Sequence, residues 1–130
     1  MLRFFVLCLT AVALCLSFTL APRLNAADAD PAVQKICTRM LKAIETKDRA
    51  EFIADGSDAV RAGTTDDIMQ ALSTQVGARM KKGYTATYLC ELNQLKHQIY
   101  LWKLAFQDDG DDMVARVVMK DGKVAGFFFQ

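Results

Sequence analysis

The stretch that decides the fold is MKDGKV, residues 119–124, close to the end of the printed chain. It places an Asp-Gly pair between two apolar runs, the strongest short-range signal for a β-hairpin, because both turn residues must tolerate a positive φ angle. A second such pair, Asp109 and Gly110, separates the two apolar runs before it. With an earlier apolar run that starts at Tyr84, these turns predict a four-stranded antiparallel meander over residues 84–130.

Two-residue turns at both Asp-Gly pairs would sort the side chains of the last three strands into two faces, because side chains alternate with period 2. One face carries no charge and is the predicted core: Tyr100, Trp102, Leu104, Phe106, Met113, Ala115, Val117, Met119, Val124 and Phe128. The outer face is apolar apart from two cations: Ile99, Leu101, Lys103, Ala105, Val114, Arg116, Val118, Ala125, Phe127 and Phe129.

The two cations, Lys103 and Arg116, lie directly opposite each other in these registers. Like charges directly opposed on a sheet are unfavourable, so a neutralising group is expected. Glu91 of the first strand, a bound anion or a carboxylate of a partner subunit would each serve. Alternatively, both cations extend into water.

The first strand is placed by the burial pattern alone. An odd-length turn after it would put Tyr84 and Tyr88 on the core face and Glu91 on the face of the cations. Tyr84, Tyr88 and Trp102 are then candidates to line a ligand cavity, although an aromatic row at strand spacing is first of all core.

Three helices are predicted before the sheet. The first begins with Asp30 as N-cap and Pro31 in its first turn, and apolar residues at helical spacing continue to about Thr46. Asp48 and Glu51 form a capping-box pattern for a short second helix. The third, over about residues 66–82, starts after threonines and acids and ends at a glycine. Residues 57–63 are predicted to be a connector, which can include a helical turn around Ala59 and Val60.

The first 26 residues have the layout of a secretory signal peptide. A positively charged start leads into an apolar run and then into small residues that suit cleavage after Ala26 or Ala27. The alternative is an uncleaved anchor, since an apolar run of about 18 residues could just span a bilayer. We expect one exported domain over residues 27–130, periplasmic or secreted, with no membrane contact after cleavage.

Composition argues against several classes of function. The chain has 16 Lys and Arg against 15 Asp and Glu, and two of the arginines lie in the leader. This balance argues against a surface for nucleic acid or anionic membranes. His97 is the only histidine, which excludes a zinc site built from several histidines, and no cofactor is expected. The four carboxylates of residues 108–112 favour a solubilising turn over a calcium site.

Two cysteines, Cys37 and Cys90, lie outside the leader. A disulfide between them would suit an oxidising compartment, but the geometry that it needs cannot be read from sequence. The other interpretation is two buried thiols that act as small hydrophobic side chains.

The order of elements resembles that of the nuclear-transport-factor-2-like superfamily, which includes SnoaL-like proteins and is related to the cystatin fold. The resemblance covers residues 32–130 and rests on KDRAEF at residues 47–52 and GKVAG at residues 122–126. It implies an α+β cone in which a curved sheet wraps around the first helix and leaves a mouth for a small ligand. It also implies dimers formed through the outer sheet face.

Catalytic relatives of the ketosteroid-isomerase type place a carboxylate base and a Tyr/Asp hydrogen-bonding pair inside the cone. Here the first helix has no inward tyrosine, and the core face of the last three strands has no carboxylate. We therefore expect a non-catalytic ligand-binding or protein-interaction module, with a small isomerase- or hydrolase-type enzyme as the alternative. The expected partners are a second copy, bound through the outer face, and a small or anionic ligand. The candidate binding residues are Lys103, Arg116, Glu91, Tyr84, Tyr88 and Trp102.

Overall fold

A group of helices precedes a single sheet in the computed structural model, which describes residues 28–130. The helices are α1 (Pro31–Thr46), α2 (Arg49–Phe52), α3 (Asp58–Gly63), α4 (Asp66–Leu72) and α5 (Ala78–Lys81), and a π-helical turn (Ser73–Gly77) joins the last two. The strands are β1 (Tyr84–Gln94), β2 (His97–Phe106), β3 (Met113–Lys120) and β4 (Lys123–Phe129), antiparallel in the order β1-β2-β3-β4. The predicted α+β fold, with helices before a four-stranded meander, is confirmed. The predicted signal peptide, residues 1–26, lies outside the described residues.

Helix α1 has the predicted bounds. The Asp30 side chain accepts the backbone N–H groups of Ala32 and Val33, and Pro31 fits the first turn because it has no N–H to satisfy. Lys47 ends the helix in the left-handed conformation, with φ at 59°. The stripe that α1 buries is Val33, Cys37, Met40, Leu41, Ala43 and Ile44. These side chains form one core with one face of the sheet, called the concave face below after the expected cone.

The remaining helices differ from the prediction in two places. The predicted connector contains helix α3, because the hydroxyl of Ser57 caps it by accepting the N–H of Val60 at 3.3 Å. The third predicted helix is interrupted by the π-helical turn. Gly77 in this turn lies close to α1, where a Cβ atom would be 3.1 Å from the carbonyl oxygen of Ile44. A glycine thus permits the turn to pack against α1.

The β3–β4 hairpin turns at Asp121 and Gly122 as predicted. Both residues have positive φ angles, 49° and 75°, and Lys120 lies opposite Lys123. The free edge of β4 is held at Val124, whose N–H donates to the carbonyl of residue 55 and whose carbonyl accepts the N–H of residue 57, each at 2.8 Å.

A β-bulge further along β4 reverses the predicted faces of its aromatic residues. Val117 pairs with Phe127, where an uninterrupted register predicts Gly126. A shift of one residue moves every later side chain to the opposite face. Phe127 and Phe129 therefore pack against the core, while Phe128 lies on the outer face and is 56% exposed. The predicted faces of these three phenylalanines were wrong.

Aromatic packing explains why the bulged register is stable. The ring of Phe127 meets the rings of Phe52 and Phe129 edge-on, at centroid distances of 5.6 and 5.2 Å. The ring of Phe128 lies across Gly126 on the other face, where a Cβ atom would be only 2.6 Å from it. The bulge thus buries two phenylalanine rings in the core, where the regular register would bury one.

The β2–β3 connection is longer than a two-residue turn. It spans residues 107–112, and Trp102 pairs with Ala115 where the tight turn predicts Val117. This register differs from the predicted one by two residues, so the side chains keep their faces. The core face of these two strands was therefore predicted correctly, although the partners across the strands were not.

The β1–β2 turn has two residues, Leu95 and Lys96, with φ angles of 49° and 63°. The sequence predicts a turn with an odd number of residues. The turn has two, and a bulge just after Tyr88 adds the one residue by which the register shifts. Before the bulge, β1 faces the core as predicted. After it the faces are exchanged, so Glu91 lies opposite Tyr100, on the concave side of the sheet. The prediction that Glu91 shares a face with the cations was wrong.

Candidate functional site

The concave face of the sheet is filled by side chains. Trp102 is fully buried at its centre, and its indole N–H donates to Oε1 of Gln34 on α1 at 3.0 Å. The rings of Tyr88 and Tyr100 lie 5.4 and 6.3 Å from the Trp102 ring, centroid to centroid. Burial raises the pKa of Tyr84, as it does for the other two tyrosines. The aromatic residues predicted as candidate cavity lining are therefore part of the core or pack against it.

A polar edge borders this face beside the start of α1. Burial is the main cause of the raised pKa of Tyr100, and the nearby carboxylates of Glu91 and Asp30 raise it further. Glu91 also adds to the raised pKa of Tyr88. Glu91 itself is exposed. The concave side thus has a carboxylate next to two tyrosines, at its solvent-facing edge.

The two cations of the outer face do not oppose each other. Lys103 pairs with Val114 and Arg116 with Leu101, because the β2–β3 connection is longer than predicted. The Nζ atom of Lys103 lies 3.2 Å from Oδ2 of Asp112, which neutralises it. The prediction of a directly opposed pair that shares one neutralising group was therefore wrong.

Arg116 has no corresponding partner among residues 28–130. Its Nε atom is buried and makes no hydrogen bond there. The side chain borders an open cavity of about 140 Å³ on the outer face, at the closed end of the β1–β2 hairpin. The other residues that line the cavity are Gln94, Leu95, His97, Ile99 and Val118. The structure thus brings Arg116 together with the turn of the first hairpin, which the predicted registers do not indicate.

The rest of the outer face is apolar and partly exposed. Phe128 is 56% exposed, and Leu89 and Leu92 of β1 are 47% and 40% exposed. Leu101 and Val114 are half-buried beside them. The helices of the described residues pack on the concave side, so they do not cover these side chains.

An ion pair between α5 and the β2–β3 connection was not predicted. The guanidinium of Arg79 donates to both carboxylate oxygens of Asp108, at 2.7 and 3.0 Å, and to the carbonyl of Asp111 at 2.8 Å. It also lies 3.9 Å from the ring centroid of Phe106. Gly110 permits this approach, because a Cβ atom there would be 2.5 Å from Nη2 of Arg79. Asp108 is therefore an anchor for this connection, and only its neighbours act as solubilising charges.

This pair makes stability depend on pH in acid. The hydrogen bonds from Arg79 lower the pKa of Asp108 from its ordinary value of 3.8 to about 2. Because the folded pKa is the lower one, the pair stabilises the fold above a pH of about 4, and this contribution is lost as the pH falls through about 2. We expect Asp108→Asn to be less stable than the wild type at neutral pH in urea unfolding, with the difference gone near the folded pKa. Asp109→Asn, which alters an exposed neighbour, is the matched control. Equal stability of the wild type and Asp108→Asn at neutral pH would contradict this prediction.

The two cysteines are both free. Cys37 is 1% exposed in the core, where burial raises the pKa of its thiol to about 12. Cys90 is exposed on β1, opposite Leu101, on the outer side of the sheet. The disulfide that the sequence left open is not formed in the structure.

Metal-ligand clusters and long apolar helices are both absent from residues 28–130. No group of three or more His, Cys, Asp or Glu side chains is placed there to hold a metal ion, the acidic residues 108–112 included. No helix in that range is long and apolar enough to cross a membrane. His97 lies beside the first turn, with Nδ1 2.8 Å from the carbonyl oxygen of Leu95.

Comparison with known proteins finds similar structures. A cystatin-fold protein from Novosphingobium aromaticivorans, described as uncharacterised, has a TM-score of 0.40 at 12% identity, over 74% of this chain and 95% of that one. An NTF2-like protein of unknown function from Cytophaga hutchinsonii has a TM-score of 0.40 at 7% identity, over 75% of this chain and 88% of that one. An NTF2-like protein from Burkholderia thailandensis has a TM-score of 0.34 at 18% identity, over 74% and 88%. No family model and no curated protein matches the sequence.

Proposed function

We propose that this chain is an exported, non-catalytic module that binds partners or ligands and forms a homodimer through the outer face of its sheet. One observation carries the proposal: the concave face is filled around Trp102, whereas the outer face leaves Phe128 56% exposed among other apolar side chains. In the cross-strand row of Phe128, Arg116 lies between Phe128 and Leu101. An exposed apolar face rimmed by polar residues is typical of an interaction site.

Two copies packed face to face through the sheet would cover this surface. Such a contact is isologous, so that each copy presents the same residues to the other. Packed sheets lie about 10 Å apart, close enough for Phe128 and Leu101 to interdigitate with their counterparts. Lys103 already has Asp112 as its counter-charge at 3.2 Å, so it adds little repulsion between the copies.

Sedimentation velocity of the exported protein tests the dimer. At tens of micromolar we expect one species with the mass of two chains. A single species with the mass of one chain would overturn the dimer.

The alternative is an enzyme that works at the mouth of the cone, and one observation favours it. Glu91 lies opposite Tyr100 on the core side of the sheet, and its charge adds to the raised pKa of Tyr88 and of Tyr100. A carboxylate beside tyrosines is suited to general acid-base chemistry. We favour the binding module because Trp102 fills the space behind these groups and Glu91 itself is exposed.

The fluorescence of Trp102 distinguishes the two functions, since Trp102 is the only tryptophan of the chain. A simple phenol that enters the cone would change its emission in a saturable manner. The binding module predicts no saturable change. A saturable change that Glu91→Gln removes would favour the enzyme.

Export predicts a defined N-terminus. The order of positive charge, apolar run and small residues suits cleavage after Ala26 or Ala27. We expect N-terminal sequencing of the exported protein to start at Ala27 or Asp28. Exported material that still begins at Met1 would instead support the uncleaved anchor.

A further inference from the structure

The guanidinium of Arg116 lies on the outer face without a counter-charge. Its Nε atom is buried and forms no hydrogen bond with residues 28–130, in contrast to Lys103, which pairs with Asp112. Burial of a charged donor without an acceptor is unfavourable. Arg116 also lines an open cavity on this face, so its guanidinium has room for an anion from outside the described chain.

The cavity beside this guanidinium has walls of two kinds. Gln94 and His97 are its polar lining residues besides Arg116, and they lie where the β1–β2 hairpin closes. Ile99, which is only 3% exposed, lies on the apolar side with Val118. Leu95 is 92% exposed at the rim. A ligand that suits these walls has an anionic end and a short apolar end.

We propose that this cavity binds a small monocarboxylate with a short aliphatic tail. The planar guanidinium of Arg116 matches the two oxygens of a carboxylate, and the amide of Gln94 can donate a further hydrogen bond. The tail would lie against Ile99 and Val118. This inference rests on the proposed binding function and deepens it, since it names the class of ligand; it does not require the dimer.

Charge and size separate a carboxylate from a phosphate. Arg116 is the only Lys or Arg among the residues that line the cavity, so it balances one negative charge and leaves the second charge of a phosphate dianion unbalanced. The apolar side chains of Ile99 and Val118 also favour a ligand with an aliphatic tail over inorganic phosphate. At about 30 Å³ per water-sized group, a cavity of about 140 Å³ holds about four or five such groups. That is close to the size of a short-chain fatty acid such as butyrate.

Titration of the full chain, labelled with ¹⁵N and ¹³C, with sodium butyrate, sodium acetate and inorganic phosphate tests the proposal, with sodium chloride at equal ionic strength as reference. The observed signals are Nε–H of Arg116 and the methyl groups of Ile99. We expect a saturable shift with butyrate and about tenfold weaker binding of acetate, which has two methylene groups fewer to bury. No saturable shift is expected with phosphate. The absence of saturation with butyrate, or tighter binding of phosphate, would overturn the proposal.

Variants assign the binding to the guanidinium. Arg116→Gln should abolish the butyrate shift at Ile99, and Arg116→Lys, which keeps the charge but loses the planar pair of donors, should weaken it about tenfold. Lys103→Gln is the matched control, because it removes the other cation of this face, and it should bind butyrate as the wild type does. The near-ultraviolet circular dichroism of Trp102 reports whether each variant is folded. If Arg116→Gln does not fold, Arg116→Lys decides. Unweakened binding in a folded Arg116 variant would overturn the proposal.

Phe128→Ala separates a free ligand from a carboxylate of a second copy. This side chain pairs with Arg116 across β3 and β4 but is not among the residues that line the cavity. The variant should therefore weaken the dimer, and the signals of Arg116 and Ile99 without ligand report whether the cavity is unchanged. Butyrate binding in both the wild type and Phe128→Ala supports a free ligand. Binding in Phe128→Ala alone would assign the guanidinium to the second copy and overturn the proposal. A monomeric wild type that still binds butyrate would overturn only the proposed dimer.

Discussion

Replacement of Trp102 by Ala is expected to lower the free energy of unfolding by about 3–5 kcal/mol, the range for a large aromatic side chain removed from a core. Trp102 is fully buried, and its indole N–H donates to Gln34 at 3.0 Å. The substitution would leave a cavity between β2 and α1 and would remove the donor that satisfies the Gln34 amide oxygen. Both effects act in the same direction.

Urea unfolding followed by far-ultraviolet circular dichroism measures this loss, since the variant has no tryptophan fluorescence. Leu95→Ala is the control: Leu95 is 92% exposed, and its truncation should change stability by less than about 0.5 kcal/mol. A loss below about 1 kcal/mol for Trp102→Ala would mean that Trp102 does not anchor the core, and the assignment of the two sheet faces would fail with it.

Two adjacent phenylalanines should respond in opposite ways to the same truncation. Phe127→Ala should cost about 2–4 kcal/mol of unfolding free energy, because its ring packs edge-on against Phe52 and Phe129. Phe128→Ala should cost less than about 1 kcal/mol, because Phe128 is 56% exposed on the other face. Both are measured by urea unfolding at a protein concentration low enough for the monomer to dominate.

The comparison tests the bulge in β4 directly, since each variant is the matched control of the other. A larger loss for Phe128 than for Phe127 would mean that the register set by Asp121 and Gly122 continues without interruption. The bulge also changes the design of interface variants. Without the bulge, Phe127 would lie on the outer face, and Phe127→Asp would be the substitution that splits a dimer. In the structure the same substitution would place a charge against the core.

Local chemistry made several elements predictable. The cap at Asp30 and Pro31 places the start of α1, and the pair Asp121 and Gly122 places the last hairpin. In each case residues adjacent in the sequence supply the cap or the turn conformation that the element needs. The charge-free core face of β2 and β3 was also predictable, because a register error of two residues leaves the faces unchanged.

The features that decide the candidate site depend on distant residues. The bulge in β4 follows from the packing of Phe127 on Phe52, far away in the sequence, and the longer β2–β3 connection follows from the pairing of Asp108 with Arg79. Neither contact can be inferred from residues that are neighbours in the sequence. For this reason the sequence identified Lys103 and Arg116 as the polar residues of the outer face but placed them opposite each other. It could not show that Asp112 neutralises Lys103 and leaves Arg116 alone beside the cavity.

The most direct test of the outer face as the interface is the dimer dissociation constant of Phe128→Ala relative to that of the wild type, by sedimentation equilibrium. Truncation of an aromatic side chain that anchors an interface costs about 2 kcal/mol or more, so we expect the constant to rise by at least about 30-fold. Leu95→Ala, at the rim of the face, should leave it unchanged within about threefold. A wild-type dimer at tens of micromolar, weakened by Phe128→Ala and not by Leu95→Ala, is the predicted result. A wild-type protein that stays monomeric at that concentration, or a Phe128→Ala variant that dimerises as tightly as the wild type, would contradict it.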